Sequence, residues 1–496
     1  SKNLKTDSRW LSVRLMENNF GSSSLEKISD IDHTELLITL KNEIKCLKEK
    51  NLNQENIQDK ITESLIKRAE KIYNLCVKVE NRNYDNADRK IDKILTSKLT
   101  GFPIMILMLL GIFWITIVGA NYPSEIIASG LFKIQDILLE TMKTLGSPAW
   151  LYGILIEGIY RTLAWVVSVM LPPMAIFFPL FTFLEDIGYL PRAAFNMDNI
   201  FKKSGAHGKQ ALTMCMGFGC NACGIIGCRI IDSPRERIIG ILTNNFVPCN
   251  GRFPLLISVI TMFFVGNAFS GFESLLKAFI LTCIILFGIA ATFITSKLLS
   301  MTILKGVPSS FILELPPYRK PQIGKILVRS VMDRTVFVLG RAVAVAAPAG
   351  LIIWLMANLK INDLSLLYYL TAFLDPFAKN IGLDGVILMA FILGFPANEI
   401  VFPIIIMSYM CKGSILEMDN LMNLHELLVA NGWTYITAIC VMIFSVMHFP
   451  CGTTCWTIKK ETGSLKWTFL SLLIPTLMGI VTCYIVYHVL SCVKFL

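Results

Sequence analysis

Five thiols fall within residues 211–254: Cys215, Cys220, Cys223, Cys228 and Cys249. The amide of Asn221 adjoins one of them, Gly217, Gly219 and Gly224 loosen the backbone nearby, and Pro248 interrupts the next apolar run. A second such stretch places Asn398 and Glu399 after Gly394-Phe395-Pro396-Ala397, and another thiol, Cys451, follows Pro450. Sulfur combined with carboxylate and amide oxygen suits a borderline transition metal, whereas magnesium and calcium take oxygen ligands. The candidate ligands are therefore Cys220, Cys249, Cys451, Asn221, Asn398 and Glu399, joined by the acids Glu185 and Asp186 at the end of an apolar run.

Each of these has a plainer reading. A thiol in an apolar run is by default a small hydrophobe, and that covers most of the fourteen cysteines. The C-x4-C-x2-C-x4-C spacing over 215–228 resembles cluster spacing, but on a helix 220 and 223 share a face while 215 and 228 do not close a tetrahedron. An acid at the centre of a membrane helix costs ~2.5–3.5 kcal/mol, so Glu399 needs a partner or a purpose unless it ends a loop near the interface. The histidines (His33, His207, His425, His448, His488) are scattered and no nucleophile–base pair is visible, so an enzyme is the weakest class. His448, just before Pro450-Cys451, is either a further ligand or a satisfied polar residue beside a helix break.

The elements that position these residues follow from composition. The chain has 496 residues, 54% hydrophobic and 17% charged, with mean hydropathy +0.59, against about 25% charged in soluble domains. That is an integral membrane protein with a polar appendage. Its net charge of +10 concentrates beside apolar spans, as the positive-inside bias requires, so no nucleic-acid partner is implied. Residues 1–98 read as a small soluble helical domain, with amphipathic patterns at 33–50 and 57–80 and a short helix over 88–99.

From 99 to 496 the pattern predicts an all-α polytopic permease domain. Apolar runs at 102–120, 162–184, 238–265, 274–298, 336–357, 385–410, 433–450 and 467–490 each approach the ~20 residues that cross a bilayer, giving about eight transmembrane helices. The segment 211–230 is additional and reads as re-entrant or discontinuous, because Arg192, Lys202, Lys203 and Lys209 precede it while Arg229, Arg235 and Arg237 follow. Lys297, Lys305, Arg319, Lys320, Lys325, Arg329 and Arg334 mark a further cytoplasmic loop. Lys459, Lys460 and Lys466 would then fall outside, so either 451–458 also re-enters or one span is miscounted.

Gly217-Phe218-Gly219-Cys220-Asn221 is echoed by Gly394-Phe395-Pro396-Ala397-Asn398, Val247-Pro248-Cys249 by Phe449-Pro450-Cys451, and Phe181 to Asp186 by Thr371 to Asp375. The order is kept, which predicts two gate-type internal repeats, A over about 162–298 and B over about 336–490. Transporters built from such halves hold substrate where discontinuous helices meet. The structural alternative is that Gly and Pro only permit close helix packing.

The motifs LEDIGYLPRAAF (184–195), GFGCN (217–221), Arg235-Glu236-Arg237-Ile238, C-x-x-R-x-P (249–254), ELPPYR (314–319) and PCGTTCWTIKKETGSLKW (450–467), with DRKIDKILTSKLTGFPI (88–104), resemble the bacterial ferrous iron transport protein B family. The resemblance runs from about residue 9 to the end. It implies Fe(II) import across the bacterial cytoplasmic membrane, with Cys220, Cys249 and Cys451 on the path and the N-terminal domain cytoplasmic. It also implies a GTP-binding domain, in cis or in trans, small accessory transport proteins and homo-oligomers as partners; residues 9–98 look like the helical relay domain that follows the GTPase. No GxxxxGK[ST] occurs in the sequence, so GTP and Mg are expected to act only through a domain that this chain lacks. Gly205 to Gln210 mimics a phosphate loop with the wrong spacing. The first gate reads GFGCNAC where GFGCNVP is common, and the second reads GFPANE where many members have Ala-Lys-Glu. Loss of that lysine beside Glu399 leaves the acid open to a cation and weakens the implication of iron. The alternatives are a carrier for another divalent metal or for an organic solute of nucleoside type, and a non-transport assembly module.

Overall fold

The computed structural model describes residues 54–77, 86–97, 99–265, 273–306, 318, 321–361, 364–410 and 421–492. The helix expected over 33–50, residues 314–317 of the ELPPYR motif, and Arg319 and Lys320 lie outside the described residues. The chain divides into two compact units, residues 1–89 with 305–312 and residues 90–304 with 313–496. In the first, the described residues form the helix Gln54–Cys76 and the start of the next, Asn86–Leu95.

Among the described residues, the regular structure of the second unit is helical apart from a paired Lys360–Ile361 and Leu364–Ser365. Among the described residues, six helices are long and apolar enough to cross a membrane: Gly101–Thr144, Ala149–Ile187, Pro234–Val265, Glu273–Met301, Tyr435–Thr462 and Leu465–Cys492. A seventh arises only if the bent pair Leu366–Asn380 and Gly385–Leu393, 112° apart, is counted as one span. Of the two remaining expected runs, 336–357 forms the helix Phe337–Asn358 of 22 residues, while 385–410 is broken rather than continuous. Outward side chains such as Leu107 and Phe469 are 70% and 62% exposed, a surface that lipid rather than water would cover. Where helices cross, small residues let backbones meet: a Cβ on Gly350 would stand 2.6 Å from Thr162 Oγ1.

Two hairpins of short helices enter this bundle. The first runs down Gln210–Gly219 and back through Asn221–Gly227. Gly224 lets its arms close, since a Cβ there would lie 2.9 Å from the Thr213 carbonyl. Its ends are tied together by Lys209 Nζ and Asp232 Oδ2, 2.7 Å apart, so the segment enters and returns. The second hairpin is Gly385–Leu393 followed by Asn398–Tyr409. Asp384 caps its first helix, accepting from the Ile387 amide at 2.6 Å, and also accepts from the Tyr409 hydroxyl, which closes the mouth.

The mouths face opposite ways. Beside the first, Arg229 makes a bidentate pair with Glu461 at 2.8 and 2.7 Å, at the C-terminal end of Tyr435–Thr462. Beside the second, Trp433 Nε1 donates to the Tyr409 hydroxyl at 2.8 Å, next to the N-terminal end of that same helix. Residues 459–466 therefore share a face with the first hairpin's mouth. The difficulty over Lys459, Lys460 and Lys466 came from taking 385–410 as a span.

Asp92, on the helix leading into the membrane part, sits in a latch. Arg192 Nε donates to Asp92 Oδ1 at 2.9 Å, the Tyr318 hydroxyl donates to the same oxygen at 2.6 Å, and the guanidinium stacks 4.0 Å over the Tyr318 ring. Burial opposes ionisation of Asp92, but the hydrogen bonds from Arg192 and Tyr318 outweigh it and hold the carboxyl below its usual range.

Candidate functional site

The hairpin tips and two further helix breaks surround one cavity of about 60 Å³. It is lined by Cys220, Asn221, Cys249, Asn398, Glu399 and Cys451, together with Met170, Gly251, Cys223 and Thr454. Six of the eight expected site residues are thus brought together. Glu185 and Asp186 are not among its lining. They sit fifteen or more residues past Met170 on one helix, some 22 Å along its axis at 1.5 Å per residue, where Asp186 accepts from the Gln322 amide at 3.2 Å.

Local sequence explains each break. At Cys220 the chain turns extended (φ −154°, ψ 126°) and the next helix begins at Asn221. Ala397 repeats that conformation (φ −150°, ψ 117°) before Asn398. After Pro248 and Pro450, Cys249 and Cys451 are extended again (ψ 170° and 160°) and each precedes a new helix. The third echo does not hold in the same way: Phe181 to Asp186 end a long helix, while Thr371 to Asp375 lie inside Leu366–Asn380.

The amide of Asn221 is oriented by its surroundings, its nitrogen facing the carbonyls of Val247 at 3.1 Å and Gly217 at 3.3 Å. The Cys451 thiol pairs with Thr454 Oγ1 at 3.2 Å. Glu399 is 7% exposed and, among the described residues, has no partner side chain. Its carboxylate lies against Gly251, the one residue type that leaves it room there. Also among the described residues, no three His, Cys, Asp or Glu side chains converge closely enough to hold a metal ion. Cys215 lines a separate apolar cavity of about 290 Å³, and Cys228 packs with Ile225, Ile231, Ile241 and Ile458. The cysteines of 215–228 therefore form no common cluster.

Arg252 is the residue that sequence reasoning passed over. It is 1% exposed and crosses between the halves. Nη1 donates to the carbonyls of Asn245 and Val446 at 2.9 and 2.7 Å, and Nη2 to Asn245 Oδ1 at 3.0 Å and to the carbonyls of His448 and Phe449 at 3.3 and 3.4 Å. It thereby satisfies carbonyls that the break after Met447 strips of helical partners. Its signal was an arginine inside an apolar run, which is costly without such a role. His448 is buried and does not line the cavity; Nδ1 donates to the Ser445 carbonyl at 2.9 Å, and Nε2 lies 3.4 Å from Asn398 Oδ1.

Comparison with known proteins bears on these features. Residues 167–263 match the family described as Gate, nucleoside recognition, and residues 281–333 match that described as Ferrous iron transport protein B C terminus. The chain is 30% identical over 423 residues to a protein named Fe(2+) transporter FeoB from Staphylococcus aureus strain MSSA476, covering 83% of this chain and 60% of that one. It is 26% identical over 469 residues to a protein of the same name from Leptospira biflexa, covering 90% and 66%. With a Porphyromonas gingivalis protein named Fe(2+) transport protein A/Fe(2+) transporter FeoB fusion protein it shares 25% over 448 residues, 81% and 51% of the two chains. This chain thus spans less than two thirds of the length of these relatives. No solved structure is similar to it.

Proposed function

From a chain whose membrane part is a FeoB-family membrane region, we propose a permease that imports Fe(II) across the bacterial cytoplasmic membrane through the cavity between the two gate hairpins. One observation carries the reading: three thiols and a carboxylate that has no side-chain partner among the described residues, from both halves of the chain, line a single small cavity. Cys220, Cys249 and Cys451 supply sulfur, Glu399 supplies charge, and Asn221 and Asn398 supply amide oxygen. Glu185 and Asp186 serve the approach to this path rather than the cavity. The loose spacing suits a transit site, which must replace water ligands without binding so tightly that release stalls.

Residues 1–98 form the helical relay in this reading, on the cytoplasmic side, and a GTP-binding domain in cis or in trans controls opening. Small accessory transport proteins and homo-oligomeric assembly belong to the same picture. The name of one relative, a fusion of Fe(2+) transport protein A with FeoB, supports the accessory partner. The nucleoside description of the matching family favours an organic solute instead, but a cavity of about 60 Å³ is far below the 300–1,000 Å³ that hold drug-sized ligands.

The test is anaerobic uptake of Fe(II), Mn(II) and Zn(II) into proteoliposomes by this chain and by Cys220→Ser/Cys451→Ser. Selective, thiol-dependent Fe(II) uptake is expected. Equal uptake by both proteins at matched incorporation would overturn the assignment. If neither moves metal, the separately added GTP-binding domain must restore uptake.

A further inference from the structure

Cys223 lines the cavity, and the transport reading gives it no task. It stands three residues beyond Cys220, where helical geometry puts two side chains on one face. Cys220 caps the helix Asn221–Gly227 and Cys223 lies in its first turn. The Cys451 thiol is engaged with Thr454, and Cys249 sits on another element. A C-x-x-C pair on a first helical turn is the arrangement in which two thiols close to a disulfide without moving the backbone far.

We propose that Cys220 and Cys223 form a dithiol–disulfide pair that hydrogen peroxide oxidises, closing the path to Fe(II). The effect on transport rests on the permease reading; the sulfur chemistry does not. In the first step the Cys220 sulfur attacks one peroxide oxygen. An S–O bond forms, the O–O bond breaks, and the departing hydroxide leaves as water with the thiol proton, so Cys220 becomes a sulfenic acid. In the second step the Cys223 sulfur attacks the Cys220 sulfur, the S–S bond forms, the S–O bond breaks, and a second water departs with the Cys223 proton. Two thiols thus lose two electrons, and one peroxide gains them to become two waters.

The cavity's size selects this oxidant, because about 60 Å³ admits a molecule near the size of water and excludes peptide-sized disulfides. The product also removes a ligand, since thiolate is the metal-binding form of cysteine. The direction is chemically sensible: ferrous iron reacts with peroxide, and peroxide would stop its import.

The experiment treats the full chain in proteoliposomes with hydrogen peroxide and removes it with catalase. One portion is alkylated and peptide-mapped, and another is assayed anaerobically for Fe(II) uptake. The expected map shows one peptide bridged between Cys220 and Cys223, with Cys215 alkylated. Uptake should fall about ten-fold or more against the untreated rate and return with dithiothreitol. In Cys223→Ser the Cys220 sulfenic acid has no resolving thiol and passes to sulfinic acid, so dithiothreitol should not restore that variant's own starting rate. Alkylation of both cysteines after peroxide, a bridge from Cys220 to Cys249 or Cys451, or full recovery of Cys223→Ser would each overturn the proposal. Absence of uptake by untreated protein even with the GTP-binding domain added would count against the permease reading, while the peptide map would still decide the pair.

Discussion

Gly251→Ala separates the position of the Glu399 carboxylate from the integrity of the fold. The added methyl would stand 2.8 Å from Glu399 Cδ, whereas carbon atoms pack best at ~3.5–4.0 Å. The carboxyl must therefore retreat by roughly 0.7 Å or more. That retreat moves the end of a flexible side chain and costs the fold on the order of 1 kcal/mol. A metal–oxygen distance tolerates only about 0.2 Å, so the same movement takes the oxygen out of coordination range. The Fe(II) concentration for half-maximal uptake should rise ~10–100-fold, while the melting temperature in detergent changes by no more than about 4 °C. Anaerobic uptake titrations would compare Gly251→Ala, Glu399→Gln and the double variant. Both single changes act through one carboxylate, so the double should be no worse than the worse single. Losses that multiply, or an unshifted half-saturation in Gly251→Ala, would refute the reasoning.

Arg252→Met should lower stability on the order of 3–5 kcal/mol, because carbonyls at the second break lose their donors, and Arg252→Lys should recover only part, lacking the planar fork; thermal unfolding that leaves Arg252→Met level with the parent would contradict this. Asp92, held below its usual range by Arg192 and Tyr318, contributes stability that is present above about pH 4 and lost as pH falls through the lower folded value. Melting curves taken between about pH 6 and pH 3 should therefore fall more steeply for the parent than for Asp92→Asn. An impermeant thiol reagent should label Lys209→Cys and Glu461→Cys from one face of the vesicle and Asn431→Cys from the other, as judged by peptide mapping; labelling of all three from one face would remove the opposed hairpins.

The breaks were legible because they are local. Gly219, Pro248, Pro396 and Pro450 announce interruptions in apolar runs, and irregular backbone at that depth must line a cavity or be buried. Polar residues next to those interruptions, Asn221, Asn398 and Glu399, could then be grouped before any contact was known. Depth was not legible. Glu185 and Asp186 end a helix of the stretch Ala149–Ile187, 39 residues long, so counting from its ends could not tell a mid-membrane acid from one beyond the interface. The second hairpin was hidden because the run 385–410 has the length of a span, and only the misplaced Lys459 and Lys460 hinted otherwise. Arg252 and Gly251 were on view within Cys249 to Pro254, but their partners, Val446, His448 and Glu399, lie well over a hundred residues away in sequence, and no periodicity reports such a meeting.

The opposed hairpins have an electrical consequence. The descending arm Gln210–Gly219 has 10 residues, about 15 Å of helix, which is half of a ~30 Å hydrocarbon layer. A cation resting between the tips has crossed about half of the transmembrane voltage, whichever side it came from. One elementary charge moved through 100 mV is worth ~2.3 kcal/mol, so a divalent ion moved through half of that field exchanges the same ~2.3 kcal/mol. Occupancy from the positive side then changes about fifty-fold for each 100 mV. In the proposed permease the membrane potential would thus load this cavity, with equal sign and size for filling it from outside and for emptying it inward.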